Sequence, residues 1–141
     1  MDLEKITEMW AKDSVIDDVM LDNASIKIPQ LHSKYLDLHN QFTLLLKKAR
    51  QQLKKAEHTK FLYYSGKGSP EMYEEHPFDY KVMKSEVPSW VAVDEDINKI
   101  EMKVALYETT LNSLSEILKQ VHQMSYNIKN IQEWRRFVNG V

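Results

Sequence analysis

The chain has no cysteine and little glycine or proline, and these shortages exclude several kinds of protein. Without cysteine there is no disulfide, no thiol nucleophile and no cysteine-ligated metal site. Three glycines and four prolines leave little room for the many tight turns of a β-sandwich or barrel. No apolar run approaches the roughly 18 residues that a membrane span needs. The N-terminus also lacks the basic-then-apolar pattern of a signal peptide. We therefore expect a soluble, intracellular protein.

Two long helical patterns flank an irregular middle. Pro29 is tolerated in the first turn of a helix but kinks its interior. The first helix therefore either starts near Ile28 or begins near Asp22 and bends there. Gly66 and Gly68 are predicted to end it, since glycine readily takes the left-handed conformation found after helices. Apolar residues recur at alternating steps of three and four, the heptad spacing of a helix that packs against another, at Ile28, Leu31, Tyr35, Leu38, Phe42, Leu45 and Ala49.

The second pattern opens at Asp94-Glu95-Asp96, where acids cap the free amides and favour the positive end of the helix dipole. Its apolar spacing again alternates three and four from Ile97 to Val121. It then continues one residue early from Met124 to Val138, and Gly140 closes it. The pattern predicts a second long helix that packs against a partner helix.

These patterns predict an all-α fold, a single helical domain over residues 1–141. Residues 1–68 form its N-terminal helical part, to which the basic segment described below belongs, 69–93 a connection, and 94–141 a C-terminal assembly helix. A short helix is expected from Leu3 to Trp10, and at most a short strand from Trp90 to Val93. One αα-hairpin cannot cover two wide apolar stripes, so the exposed apolar area implies a partner. Self-association through heptad seams into a ring-shaped homo-oligomer is the economical solution.

The positive charge of this chain is concentrated between Lys47 and Lys67. Seven basic residues and one acid give that segment a formal charge of +6, and because the whole chain is −2, the remainder carries −8. No acid interrupts the helix between Asp37 and Glu57, and aromatic residues follow directly. Phosphates attract cations and unstacked bases stack on rings, so the segment predicts single-stranded nucleic-acid binding. The candidate residues are Lys47, Arg50, Lys54, Lys55, His58, Lys60, Tyr63, Tyr64 and Lys67.

Nothing in the sequence indicates an enzyme, a cofactor or a metal site. Ser65-Gly66-Lys67-Gly68-Ser69 is only faintly like a phosphate loop, because it lacks the first glycine and follows a helix rather than a strand. No His-Glu-x-x-His, paired catalytic carboxylates or Gly-x-Ser-x-Gly motif is present. The C-terminal aromatic and arginine cluster is instead typical of a subunit contact. The predicted interface residues are Ile128, Ile131, Trp134 and Phe137.

Three stretches of this sequence resemble the UvsY family of recombination mediators from T-even-type bacteriophages. They are Phe61-Leu62-Tyr63-Tyr64-Ser65-Gly66-Lys67-Gly68, Lys84-Ser85-Glu86, and the tail from Ile128 to Phe137. The resemblance implies a non-enzymatic hexamer or heptamer in the cytoplasm of the bacterial host. It further implies binding of single-stranded DNA and loading of a RecA-like phage recombinase in place of the phage single-strand-binding protein.

The resemblance also bears on individual residues. The family's DNA-binding Leu-Lys-Ala-Arg run matches Glu57, His58, Thr59 and Lys60 here. His58 stands where the family has a lysine, and only Lys60 keeps a permanent positive charge. Lys54, Lys55 and Lys67 are the other cations near this run.

Two other functions remain open. A structural coiled-coil scaffold without a nucleic-acid role would form a defined oligomer that ignores DNA. A basic amphipathic helix on an anionic membrane would bind acidic vesicles and place Trp and Phe opposite the lysines. The apolar stripe instead has the spacing of a contact between helices, so no membrane partner is expected.

Overall fold

The computed structural model describes residues 1–140, and this part of the chain is helical with no strand. The prediction of an all-α protein is confirmed, whereas the division of residues 1–141 into three parts stays a prediction. The helices within residues 1–140 are α1 (Leu3–Asp13), α2 (Leu21–Tyr64), α3 (Pro70–Glu75), α4 (Val87–Ala92) and α5 (Glu95–Val138).

The short N-terminal helix α1 confirms the prediction for Leu3 to Trp10 and extends it to Asp13. Asp2 caps it, since the carboxylate accepts the amide proton of Lys5 at 2.9 Å. Ile6 is fully buried, so the apolar face of α1 lies against its neighbours.

The second helix begins at Leu21, so a start near Ile28 is wrong and the alternative start near Asp22 is right. The Asp17 carboxylate accepts the amide protons of Val19 and Met20 just before the helix. Pro29 therefore lies inside α2, where its ring removes one helical hydrogen bond. Burial on both sides of the proline, at Ala24 and Tyr35 among others, holds the helix together.

Gly66 ends α2 as predicted. Its φ of 79° is left-handed, and its N–H donates to the carbonyl of Tyr63 at 3.2 Å. The N–H of Lys67 reaches back to the carbonyl of Leu62 at 2.9 Å. This pair of bonds is the Schellman arrangement that satisfies the last carbonyls of a helix.

The predicted strand from Trp90 to Val93 is wrong, because α4 covers Val87–Ala92. The aromatic and β-branched residues there suggested a strand. Pro88 lies in the first turn of α4, where the missing N–H costs nothing. Val87 is buried and anchors this short helix.

The chain forms two compact units. The first contains Met1–Thr43 and the chain from Thr109 onward, and therefore α1 with the N-terminal part of α2 and the C-terminal part of α5. Within it the two long helices run antiparallel, since Ala24 packs against Ile128 while the Ser115 hydroxyl lies 3.2 Å from His39 Nε2. Its buried core includes Ile6, Leu21, Ala24, Tyr35, Leu38, Phe42, Leu114, Ile117, Val121, Met124 and Ile128.

Helix α1 is held within the first unit by one cluster of contacts. The Trp10 ring meets the Tyr35 ring edge-on at a centroid distance of 5.4 Å. The Tyr35 hydroxyl donates to Asp13 at 2.8 Å, and Lys34 Nζ lies 2.7 Å from the same carboxylate oxygen. Tyr35 is fully buried, so this hydrogen bond keeps its hydroxyl from being orphaned.

The second unit is Leu44–Glu108. It contains the C-terminal part of α2, helices α3 and α4 with their connections, and the start of α5. The two long segments are again antiparallel, because Arg50 pairs with Glu108 and Lys60 with Asp94. Its buried apolar residues are Leu46, Ala49, Tyr63, Val87 and Ile97.

Candidate nucleic-acid interface

Most of the predicted DNA-binding cations lie exposed on the surface of the second unit. Within residues 1–140 they form no ion pair, apart from Arg50, whose guanidinium lies 2.8 Å from Glu108, and Lys60. An exposed pair such as Arg50–Glu108 contributes at most about 1 kcal/mol, so Arg50 remains available to phosphate. The exposed, unpaired members of the predicted set are Lys47, Lys54, Lys55, His58 and Lys67.

Lys60 differs from the others because two acids hold it. Its Nζ lies 3.0 Å from Asp96 Oδ2 and 3.3 Å from Asp94 Oδ2, and its side chain is only 22% exposed. Desolvation by burial works against the charged form, but the bonds to Asp96 and Asp94 outweigh it and raise the pKa of Lys60. Lys60 is therefore charged, but its charge is balanced within the chain.

Asp94 joins α2 to the start of α5. Its Oδ1 accepts the amide protons of Asp96 at 2.9 Å and Ile97 at 3.2 Å, which makes it the cap of α5 and confirms the predicted helix start. Its Oδ2 accepts the Tyr64 hydroxyl at 2.6 Å and faces Lys60. Burial opposes ionisation, but the Tyr64 hydroxyl, the Ile97 amide and Lys60 together lower the pKa of Asp94.

Tyr63 and Tyr64 are engaged within the chain. Tyr63 is buried, and its hydroxyl donates to the carbonyl of His76 at 2.7 Å. Its ring stacks on that of Tyr73 at 5.2 Å and 17°. Tyr63 and Tyr64 belong to an aromatic cluster in which the centroid of each ring lies within 6 Å of another. The cluster is formed by Tyr63, Tyr64, Tyr73, Phe78, Tyr80 and Trp90.

The connection contributes four rings to this cluster that were not predicted from the sequence. No periodic pattern marks Tyr73, Phe78, Tyr80 and Trp90, and the only signal was their number in a short stretch. Tyr73 also shapes the turn after α2, because its hydroxyl accepts the N–H of Gly68 at 3.1 Å and donates to the carbonyl of Tyr63 at 2.7 Å. A Cβ at position 68 would lie 3.2 Å from this ring, so glycine permits the close approach.

Three cavities lie around the end of α2, and one of them, of about 290 Å³, contains Phe61 together with Glu57 and Glu101. The other two have opposite charge. The larger, of about 590 Å³, contains Lys60 and four acids, Glu75, Asp94, Glu95 and Asp96. The smaller, of about 170 Å³, contains no acid and is lined by Phe61, Ser65, Lys67, Val82, Lys84 and Val87. Only the smaller cavity has the charge that an anionic ligand requires.

The predicted interface residues near the C-terminus fall into two groups. Ile128 is buried against Leu21 and Ala24 of its own chain, and Ile131 is partly buried on the same cluster. By contrast, Trp134 is 65% and Phe137 76% exposed, with their rings stacked at 5.7 Å and 30°. The role of all four residues in assembly stays a prediction. Of the four, only Trp134 and Phe137 are exposed and could contact another subunit.

Arg135, which lies between Trp134 and Phe137 in the sequence, is anchored inside the first unit. Its guanidinium donates to the carbonyl of Asp18 and lies 3.9 Å from the carboxylate of the same residue. The last turns of α5 are thereby tied to the segment that precedes α2.

Within residues 1–140, no three acidic or histidine side chains are placed to share a metal ion. None of the helices in that part is both long and apolar enough to cross a membrane.

A family model described as "Recombination, repair and ssDNA binding protein UvsY" matches residues 9–141. The chain belongs to the UvsY family. The resemblance recognised in the sequence is therefore confirmed, and the family is one of phage recombination, repair and single-stranded DNA binding.

Individual relatives agree with this. The recombination protein uvsY of Enterobacteria phage T4 is 27% identical over 140 residues, which is 99% of each chain. A crystal structure of the bacteriophage T4 recombination mediator protein UvsY is 27% identical with a TM-score of 0.85, and covers 99% of this chain and 98% of its own. A second lattice form is 26% identical with a TM-score of 0.83, and covers 94% of this chain and 98% of its own. The fold of this UvsY-family chain is thus that of the phage T4 protein.

Tyr64 and Lys60, which both contact Asp94, have raised pKa values, and these predict a loss of stability at alkaline pH. Burial and then the Asp94 carboxylate raise the pKa of Tyr64 above its ordinary value of 10.0. The native state therefore keeps a proton that the unfolded state releases, so the contribution of Tyr64 is complete below pH 10 and is lost as the pH rises further. Lys60, raised above 10.5, acts in the same direction. We expect the free energy of unfolding to fall from pH 10 upward.

Urea unfolding at several pH values between 8 and about 11 checks this. Tyr64→Phe removes one of the titrating groups, so its stability should fall less steeply above pH 10 than that of the wild type. Tyr126→Phe changes an exposed tyrosine and is the matched control. Identical slopes for wild type and Tyr64→Phe would contradict the expected role of the Tyr64–Asp94 bond.

Proposed function

We propose that this protein is a non-enzymatic recombination mediator in the cytoplasm of the phage-infected bacterium. It binds single-stranded DNA as a homo-oligomer and promotes loading of a RecA-like phage recombinase in place of the phage single-strand-binding protein. Membership of a single-stranded DNA-binding family supports this, as does the likeness to a T4 protein whose name is recombination mediator. The observation that carries the proposal is the row of exposed, unpaired cations along α2.

That row is suited to a phosphate backbone. Lys47 and Lys54 are seven residues apart on one face of α2, and Lys48 and Lys55 have the same spacing on an adjoining face. Seven residues span about 10 Å along a helix. No acid lies between Asp37 and Glu57 to neutralise them, so the ammonium groups can neutralise successive phosphates of one strand.

Assembly provides the affinity that one subunit lacks. We propose a ring-shaped hexamer or heptamer held by heptad seams and by the exposed C-terminal rings Trp134 and Phe137. Large apolar side chains such as Leu44, 70% exposed, indicate that a single chain does not cover its own apolar surface. Several weak sites on one ring then bind one strand with an avidity far above that of each site.

Wrapping the strand on such a ring would compete with the single-strand-binding protein for the same phosphates. The recombinase then meets DNA that is already partly released. This step needs no covalent chemistry, which agrees with the lack of catalytic motifs in the sequence.

A salt titration tests the DNA-binding part of the proposal. The affinity for single-stranded oligonucleotides should exceed that for duplex of the same length. The logarithm of the binding constant should fall with the logarithm of the salt concentration, by about 0.7 for each phosphate neutralised. Equal affinity for the two forms, or a flat salt response, would contradict the proposal and favour a scaffold without a nucleic-acid role.

A charge-matched pair of variants locates the interface on α2. Removing the four lysines of the row should weaken binding by more than about tenfold and make the salt dependence shallower. Removing four exposed lysines elsewhere changes the net charge equally and should have little effect. The test variant changes Lys47, Lys48, Lys54 and Lys55 to Gln, and the control changes Lys5, Lys12, Lys99 and Lys103 to Gln.

A further inference from the structure

We propose that Phe61, Lys67 and Lys84 form a nucleotide site that takes one base of a single DNA strand and the phosphates beside it. The inference rests on the proposed single-stranded DNA binding and specifies where, at the end of α2, the strand lies. It places Lys84, from the connection, in the interface, and it moves the strand away from Lys60 and the tyrosine pair.

The smaller cavity brings these three residues together. Phe61 comes from the last turn of α2, Lys67 from the turn that follows it, and Lys84 from the segment before α4. Both lysines are exposed, and neither has an acidic partner within residues 1–140. This cavity contains no carboxylate, so it favours an anion, whereas the neighbouring cavity that also contains Phe61 has Glu57 and Glu101 and does not.

The other side of α2 is unsuited to phosphate. Lys60 and Phe61 are neighbours in sequence and therefore point about 100° apart around the helix. Lys60 faces the larger cavity, where four carboxylates surround its single ammonium group. A phosphate at Lys60 would have to displace Asp94, which Tyr64 and the amides of α5 hold in place.

The aromatic rings at the end of α2 also differ in whether they are free to contact a base. Tyr63 is buried and already stacked on Tyr73, and Tyr64 is engaged by Phe78 and Trp90. Phe61 is 37% exposed and has no ring partner in the described chain. Its face is therefore available to an unpaired base.

The chemistry of the site selects a single strand. An unstacked base presents its π face to Phe61, whereas the bases of a duplex are already stacked on one another. The two ammonium groups then contact the phosphates on either side of that nucleotide. The Ser65 hydroxyl adds no donor, since its proton is committed to the carbonyl of Phe61 at 2.6 Å.

Four single variants of the full-length protein test the site, by titration with a fluorescent single-stranded oligonucleotide and the matching duplex. Lys84→Gln should make the salt dependence of single-strand binding shallower by about 0.7 for each Lys84–phosphate contact, and Lys81→Gln is its charge-matched control. Phe61→Leu keeps an apolar side chain but removes the ring, and should weaken single-strand binding at least about fivefold. Tyr80→Leu removes an exposed ring outside the cavity and is its control.

The outcomes separate this site from the general proposal. The site is supported if Lys84→Gln and Phe61→Leu weaken single-strand binding while both controls behave as wild type. If the wild type binds single strands and Lys84→Gln and Phe61→Leu bind equally well, the site is overturned and the general proposal stands. Equal losses in Lys81→Gln and Lys84→Gln also overturn the site, because they would indicate a diffuse charge effect. A wild type that binds no single-stranded DNA overturns both proposals. Lys84 is exposed, so its replacement tests the site even if Phe61→Leu alters the fold.

Discussion

Replacing Asp94 by alanine is expected to lower the free energy of unfolding by about 2.5–4 kcal/mol, a large fraction of the stability of a small protein. Loss of a helix cap costs about 1 kcal/mol. A hydrogen bond to a charged group contributes about 1.5–3 kcal/mol, and the Tyr64 hydroxyl loses such a partner. Asp94 is only 8% exposed, so water does not readily replace these contacts. Lys60 adds little, because it keeps Asp96.

Urea unfolding followed by circular dichroism at neutral pH measures the effect. Asp94→Asn keeps an oxygen that can cap α5 but removes the charge, so we expect a loss between those of wild type and Asp94→Ala. Asp79→Ala removes an exposed acid between α3 and α4 and should change stability by less than about 0.5 kcal/mol. An Asp94→Ala variant as stable as Asp79→Ala would show that Asp94 does not join the two helices.

Replacing Tyr35 by alanine is expected to cost about 3–5 kcal/mol, because it empties a fully buried aromatic site. The same change removes the ring against which Trp10 packs and the hydroxyl that binds Asp13. Helix α1 should therefore lose its attachment to the first unit, and the core should lose the packing around Tyr35.

Tyr35→Phe separates these effects, since it keeps the ring and removes only the hydroxyl. We expect it to cost about 1.5–3 kcal/mol, as for one hydrogen bond to a charged group. Tyr126→Ala, at an exposed tyrosine of the same unit, should be nearly neutral. Thermal unfolding of the variants provides the comparison, and digestion by a protease reports whether α1 is released. Equal stabilities of Tyr35→Ala and Tyr126→Ala would contradict the burial of Tyr35 as the source of the effect.

Local signals predicted the long helices well. The acids at the start of α5 and the glycine after α2 affect only the backbone within a few residues, so their effect can be predicted from the sequence. The structure shows Asp94 as a cap and Gly66 in the left-handed conformation. The helix at Val87–Ala92 was harder to predict, because its aromatic and β-branched residues favour a strand. There the proline in the first turn was the better guide.

The pairing of Lys60 could not be read from the sequence. Lys60 meets Asp94 and Asp96 only because the chain returns after more than thirty residues. A count of charges along the chain assigns Lys60 to the basic segment, whereas the fold assigns it to an acidic cavity. The opposite holds for Lys84, which lies far from the basic segment in sequence and beside Lys67 in the smaller cavity. Long-range contacts thus decide which lysines lie beside acids and which do not, and a count of charges along the sequence does not show this.

The Tyr73 hydroxyl, which bridges Gly68 and Tyr63, fixes the backbone on both sides of Lys67. The N–H of Lys67 is bound to the end of α2, and the next N–H is bound to Tyr73. The backbone of this turn is therefore already ordered by folding, and the proposed contact with a strand would restrict only the lysine side chain. A preorganised turn of this kind lowers the entropic cost of each contact, and in the ring proposed above that reduction would apply at every subunit that contacts the strand.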